Sequence, residues 1–126
     1  MIMQILAVAL GGAVGALARF GISKIPFLTG HDFPWMTFAA NFIGAVIIGM
    51  IAGLLLESGR LSPTQTSFFK TGFCGSLTTF STFSLEALTL LESGKIFVGS
   101  IYIILSVILC IAGVLLGRLV AIKCFL

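Results

Sequence analysis

Charged residues are scarce in this sequence. Only 9% of its 126 residues are charged, whereas 59% are hydrophobic and the mean hydropathy is +1.23. Soluble domains usually carry about 25% charged residues, so the composition excludes an ordinary soluble domain and predicts an integral membrane protein. A spanning helix needs roughly 20 apolar residues, and a chain of this length therefore holds four spans with short loops.

Cysteine, histidine and clustered basic residues are equally rare. The three cysteines, Cys74, Cys110 and Cys124, have no CxxC spacing, so we interpret them as small buried side chains without a disulfide framework or metal site. The single histidine, His31, is assigned no metal role. The net charge of +3 comes from scattered residues, which argues against nucleic acid as a partner. No nucleophile–base pair is visible, so we do not expect an enzyme.

Four long apolar segments follow one another, and we predict one all-α membrane domain over residues 1–126. The predicted spans are 2–22, 35–56, 63–91 and 96–122. The chain start lacks the basic residues of a cleavable signal, so we expect the first segment to be retained. Ser62 is predicted to cap the third span, with Pro63 in its first turn. Four helices are too few to enclose a wide pathway, which favours a two-fold dimer.

The basic residues hardly favour one orientation in the membrane. With four spans, one side carries Arg60, Lys70, Arg118 and Lys123, and the other carries Arg19, Lys24 and Lys95. Orientation follows the Lys/Arg bias of loops and helix ends, and four against three is a weak bias. We therefore expect insertion in both orientations, which permits an antiparallel, dual-topology homodimer.

Polar and small residues mark particular helix faces. Ala7, Gly11 and Gly15 recur at four-residue steps in the first span and predict a close packing face. Arg19 continues this stripe, as an interfacial anchor or as a vestibule residue that attracts anions. In the second span, the amide of Asn41 either joins helices or lines a pore, and we favour the pore.

The fourth span carries a second polar line. Tyr102, Ser106 and Cys110 are spaced four residues apart and therefore share one face of a helix.

The least helix-like part of the third span is Gly72-Phe73-Cys74-Gly75-Ser76-Leu77-Thr78-Thr79-Phe80-Ser81-Thr82-Phe83-Ser84. It contains six hydroxyl side chains and two glycines, and irregular backbone at membrane depth requires protein packing or a polar path. We predict a helix break within residues 75–79. Half-helix ends there expose carbonyls, and those of Gly75 and Thr78, doubled by a two-fold axis, would suit a structural Na⁺.

Phe80 and Phe83 are three residues apart and project to similar sides of a helix. The positive edges of their rings attract an anion without trapping it as a lysine would. Ring chemistry alone also fits simple core filling.

This stretch resembles the signature of the bacterial fluoride-channel family (Fluc, also called CrcB). The first-helix run Gly11-Gly12-Ala13-Val14-Gly15-Ala16-Leu17-Ala18-Arg19-Phe20 and Asn41-Phe42-Ile43-Gly44 resemble further family patterns. The resemblance implies an antiparallel dual-topology dimer with two pores, a central Na⁺ and passive, selective fluoride conduction across the cell inner membrane.

The resemblance also implies residue roles. The fluoride pathway would comprise Asn41, Phe80, Phe83, Thr79, Ser81, Thr82, Tyr102 and Ser106, and the backbone carbonyls of Gly75 and Thr78 would bind Na⁺. Arg19 would lie at the vestibule, while Cys110 stands where the family can have a hydroxyl. Fluoride is strongly hydrated, so hydroxyl and amide donors must replace its water shell. We expect no lysine or arginine in the pore region.

Two rival functions remain open. A small dual-topology proton-coupled cation or multidrug antiporter needs a carboxylate deep in the membrane. Asp32 and Glu57 lie at loop edges, and Glu86 is expected near the interface as a vestibule or capping residue. A structural membrane subunit would use the glycine stripes for packing alone and leave the hydroxyl run as helix contacts.

Overall fold

The computed structural model describes the backbone of residues 1–125 and the side chains of residues 1–54 and 59–124. The helices, in chain order, are α1 (Ile2–Ile22), a 3₁₀ turn (Pro26–Leu28), α2 (Trp35–Ser58), α3 (Pro63–Thr66), a π-helical segment (Ser67–Cys74), α4 (Gly75–Leu77), α5 (Phe80–Glu92) and α6 (Ile96–Phe125). Residues 1–125 contain no strand, which confirms the prediction of an all-α protein. The side chain of Glu57 lies outside the described residues.

Three helices of the described chain are long and apolar enough to cross a membrane. They are α1, α2 as far as Leu54, and α6 as far as Cys124. The protein is therefore a multi-pass membrane protein. The third predicted span is divided among shorter helices, of which α5 has 13 residues. The four-span count and the dimer stay predictions.

The small residues of α1 form its packing face. Ala7, Gly11 and Gly15 are the buried residues of this helix, as predicted. A Cβ atom on Gly11 would collide with the carbonyl oxygen of Phe68, and one on Gly15 with that of Phe73. The glycines therefore bring α1 into backbone contact with the π-helical segment.

Glycines also join α2 to α6. A Cβ on Gly49 would collide with the carbonyl oxygen of Val114, and one on Gly117 with that of Val46. Each helix thus contributes one glycine to a reciprocal backbone contact, which holds α6 against α2.

Local sequence signals explain where the third segment begins. The Ser62 hydroxyl accepts the backbone N–H of Gln65 at 3.2 Å, and the Gln65 side chain accepts the N–H of Ser62 at 2.9 Å. This reciprocal cap, with Pro63 in the first turn, confirms the predicted start.

The cysteines only partly follow the prediction. All three are free in the structure. Cys74 is buried and Cys110 is half-buried, but Cys124 is exposed, so the interpretation as a buried side chain is wrong for Cys124. It lies in the last turn of α6.

Candidate functional site

Two threonines interrupt the third segment. Thr78 (φ −82°, ψ 156°) and Thr79 (φ −150°, ψ 112°) have extended backbones between α4 and α5. The interruption lies within residues 75–79, where the hydroxyl-rich sequence predicts it. Gly75 has helical dihedrals (φ −62°, ψ −29°), so the β-branched threonines, rather than the glycine, leave the helix.

Asn41 holds this break from α2. Its Oδ1 accepts the backbone N–H of Thr79 at 2.7 Å, and its Nδ2 donates to the carbonyl oxygen of Thr79 at 3.3 Å. The Thr79 hydroxyl in turn accepts the N–H of Thr82 at 3.2 Å and caps α5. Asn41 therefore joins two helices, which is one of the two roles considered for it. Its place in a fluoride pathway stays a prediction.

The break redirects two backbone donors. In a continuous α-helix, the carbonyl of Gly75 would accept the N–H of Thr79, and that of Thr78 would accept the N–H of Thr82. Here the first N–H donates to Asn41 and the second donates to the Thr79 hydroxyl. The two carbonyls predicted to bind Na⁺ thus lose their ordinary helical partners.

A groove of about 480 Å³ runs beside the break and is mainly apolar. Seven of the predicted site residues line it, namely Asn41, Gly75, Thr78, Thr79, Phe80, Phe83 and Ser106, and Cys110 lines it too. The ring centroids of Phe80 and Phe83 are 5.5 Å apart. Phe80 is 78% exposed and Phe83 only 8%, so one ring lies at the open side and the other lies in the core.

The groove wall includes the basic side chain of Lys70 and the buried hydroxyl of Ser106. Lys70 forms part of the wall, so the expectation that the pore region has no basic residue is wrong for this groove. The π-helical segment carries Lys70, and its wider turn places side chains where α-helical spacing does not. Ser106 is buried on α6, and its hydroxyl has no hydrogen-bond partner within the described residues.

A second cavity, of about 470 Å³, lies on the other side of Thr79. We name it the vestibule; it is lined by Ala16, Arg19, Phe20, Ser23, Met36, Thr37, Thr79, Thr82 and Glu86. Arg19, predicted at a vestibule, and Thr82, predicted in the fluoride pathway, both line this cavity, and their roles stay predictions. Thr79 lines both the groove and the vestibule.

Glu86 joins three helices at the vestibule. Thr37 of α2 donates to its Oε1 at 2.8 Å, and the Tyr102 hydroxyl of α6 donates to its Oε2 at 2.8 Å. The sequence did not predict this bridge. Its one available signal was the three-residue spacing of Phe83 and Glu86, which places both on one face of α5.

Two predicted pathway residues line neither cavity. Tyr102 is fully buried, with its ring 5.1 Å from that of Phe83. Ser81 is exposed, and its hydroxyl lies 3.3 Å from that of Thr79. Both therefore contact residues that line a cavity, and their roles in a pathway stay predictions.

Comparison with known proteins agrees with the sequence motifs. The family model described as "CrcB-like protein, Camphor Resistance (CrcB)" matches residues 6–118. The chain belongs to this family. The matched range includes every predicted site residue.

Curated relatives cover nearly the whole chain. A protein of Hahella chejuensis named "Fluoride-specific ion channel FluC" is 43% identical over 118 residues, which are 90% of this chain and 93% of that relative. Relatives with the same name in Methylobacillus flagellatus (41% over 116 residues, 90% and 91% covered) and Thermococcus kodakarensis (43% over 116 residues, 92% and 94% covered) are also similar.

Proposed function

We propose that this protein is a fluoride-selective ion channel that passively exports fluoride and lowers its cytoplasmic concentration. Relatives at about 40% identity carry the name of a fluoride-specific ion channel. The observation that carries the proposal is the groove at the helix break, where Asn41, Phe80, Phe83 and Ser106 converge. Transport by such a channel involves no covalent step, so we do not assign an enzymatic activity.

The groove offers fluoride weak and varied partners. The positive edges of Phe80 and Phe83 attract an anion, and the Ser106 hydroxyl can donate because no described residue engages it. Thr79 and Thr82 supply hydroxyls to the vestibule, and Arg19 supplies positive charge at its wall. The Ser81 hydroxyl contacts that of Thr79. Several weak sites allow an ion to enter without being trapped, which is the requirement for conduction.

Na⁺ fits the break as a structural ion. Carbonyl oxygens are suitable ligands for a hard monovalent cation, and those of Gly75 and Thr78 have lost their usual helical donors. A second copy of the chain would supply two more carbonyls. The ion would supply fixed positive charge that holds two breaks together.

An antiparallel homodimer with two pores in the cell inner membrane completes the proposal. Phe80 is 78% exposed on a single chain, and a partner would cover such a large ring. Two added lysines at one end of the chain should trap one orientation. Each trapped form alone should then lose activity and the mixture regain it; full activity of either form alone contradicts the antiparallel arrangement.

Liposomes loaded with potassium fluoride test the function directly. With a potassium ionophore as shunt, purified protein should release fluoride rapidly, independently of a proton gradient, while chloride is retained in parallel vesicles. Equal release of chloride refutes fluoride selectivity.

Removal of Na⁺ during purification should lower the flux and destabilise the dimer.

A matched pair of phenylalanine variants tests the groove. Phe80→Ile should reduce fluoride efflux by about tenfold or more while the protein remains folded, because it removes a ring edge but little buried area. Phe97→Ile is the control, since Phe97 is 77% exposed at the start of α6 and does not line the groove. Equal flux in both variants would remove Phe80 from the pathway.

The antiporter remains the alternative because Glu86 is a carboxylate at the vestibule. Proton-coupled exchange predicts that a pH gradient drives uphill transport and that Glu86→Gln abolishes it. A channel dissipates the fluoride gradient in either case. The two functions are therefore separated by the same vesicles with and without a proton gradient.

A further inference from the structure

An unbroken series of aromatic rings connects the groove to the loop before α2. The ring centroids are 5.5 Å apart for Phe80 and Phe83, 5.1 Å for Phe83 and Tyr102, and 5.2 Å for Tyr102 and Phe33. Phe33 also lies 4.4 Å from Trp35. All four separations suit direct ring contact, so a loop residue packs on the same tyrosine that contacts a groove phenylalanine.

Phe33 is the one residue of this series that lies outside the helices, because the other four belong to α5, α6 and α2. It precedes Pro34, which restricts its backbone to extended conformations. Its ring meets that of Tyr102 at 81°, an edge-to-face contact, while Tyr102 is fully buried. The tyrosine ring therefore has Phe83 and Phe33 as neighbours, and its hydroxyl donates to Glu86.

The residue before Phe33 is tied to the turn between α5 and α6. Asp32 forms an ion pair with Lys95. The two side chains are 61% and 46% exposed, respectively, and such exposed pairs contribute little to overall stability. The pair instead limits where the end of the loop, and with it Phe33, can lie.

We propose that Phe33 is a positioning residue, which holds the Tyr102 ring against Phe83 and keeps the Tyr102 hydroxyl on Glu86, and that the Asp32–Lys95 pair keeps Phe33 in place. The loop thereby controls the geometry of both cavities, since Phe83 lines the groove and Glu86 lines the vestibule. The consequence for flux rests on the proposed fluoride channel; the effect on Tyr102 does not.

The sequence contains one tyrosine and one tryptophan. In near-ultraviolet circular dichroism, the tyrosine signal therefore comes from Tyr102 and the tryptophan signal from Trp35. Phe33→Leu should alter both signals and lower fluoride efflux about three- to tenfold. Phe33→Tyr keeps an aromatic ring and should restore efflux towards wild type; because it adds a second tyrosine, only its efflux is compared, and the spectra are compared between wild type and Phe33→Leu. Phe27→Leu is the control, because Phe27 belongs to the same loop and is 84% exposed.

A second set of variants leaves every ring intact. Asp32→Asn should lower efflux about two- to fivefold with little change in Tm, and the exchanged pair Asp32→Lys with Lys95→Asp should recover most of it. Recovery supports a role of the Asp32–Lys95 ion pair in keeping Phe33 in place, because a loss through general destabilisation would not be restored by reversing both charges.

The outcomes separate the two proposals. Wild-type protein that releases no fluoride contradicts the channel, whereas the spectrum of Phe33→Leu, compared with that of Phe27→Leu, still tests the contact with Tyr102. Phe33→Leu with wild-type spectra and wild-type flux overturns the positioning role. A flux equally low in Phe33→Tyr and Phe33→Leu also overturns it. If the exchanged pair releases fluoride no faster than Asp32→Asn, the role of the Asp32–Lys95 pair is overturned.

Discussion

Asn41 contacts the backbone of Thr79 through both ends of its amide, accepting at 2.7 Å and donating at 3.3 Å. The Oδ1 of this side chain thus replaces the helical acceptor that the Thr79 N–H loses at the break, and its Nδ2 adds a second contact to the same residue. The amide is suited to this because it offers a donor and an acceptor side by side. Its contact with Thr79 lies directly between the groove and the vestibule.

Asn41→Asp should disrupt this contact. It keeps an acceptor for the Thr79 N–H but places a carboxylate oxygen against the Thr79 carbonyl oxygen, and it adds negative charge beside an anion path. We expect at least about a tenfold loss of fluoride efflux and a stability loss of about 1–3 kcal/mol, measured by vesicle assay and thermal unfolding. The control is Gln65→Glu, an amide-to-acid change in a cap that tolerates glutamate. Wild-type efflux in Asn41→Asp would contradict the prediction.

Local rules predict part of this structure. The α1 packing face, the Ser62 cap and the interruption near Thr78 each depend on residues within a few positions of one another. Their physical causes, which are small side chains, hydroxyl caps and β-branching, are visible in the sequence. The stretch that contains this interruption, residues 72–84, also carries the motif by which the family could be identified.

The long-range contacts could not be predicted in this way. Whether Thr37 and Tyr102 both reach Glu86 depends on the rotation of α2 and α6 against α5, which no local pattern specifies. Lys70 lines the groove from within the π-helical segment, whose wider turns depart from the α-helical spacing used to assign faces. The threonines rather than Gly75 form the break because Asn41 supplies the partner for Thr79.

Ser106 provides a separate test of the groove. Its buried hydroxyl lacks a partner among the described residues, so Ser106→Ala removes an unsatisfied group and should leave Tm unchanged or slightly raised. Fluoride efflux should nevertheless fall several-fold, about two- to tenfold for one lost hydrogen bond to the ion. Ser100→Ala is the control on the same helix, because Ser100 does not line the groove. Unchanged efflux in Ser106→Ala would leave this hydroxyl without a role in conduction.

The Glu86 bridge predicts coupled stability effects. Glu86→Leu leaves the buried Tyr102 hydroxyl without its acceptor and should cost about 1–3 kcal/mol. If Tyr102→Phe is made in that background, the orphaned hydroxyl disappears. The double variant should therefore lose less free energy of unfolding than the two single variants lose in sum. The coupling energy should be about 0.5–3 kcal/mol, measured by unfolding in a double-mutant cycle. Strict additivity would contradict the contact.

The glycine contact between α2 and α6 sets how closely these two helices approach, and both of them form walls of the groove. Gly49→Ala would drive a methyl group into the carbonyl oxygen of Val114, so the helices must separate. We expect a loss of about 1–3 kcal/mol in thermal or denaturant unfolding, since overpacking forces the backbone to shift. Gly21→Ala is the matched control, because no heavy atom outside its own surroundings lies within 4 Å of the added Cβ, and there the substitution should be neutral or stabilising. Equal stability of the two alanine variants would show that α2 and α6 do not approach as closely as Gly49 and Gly117 indicate.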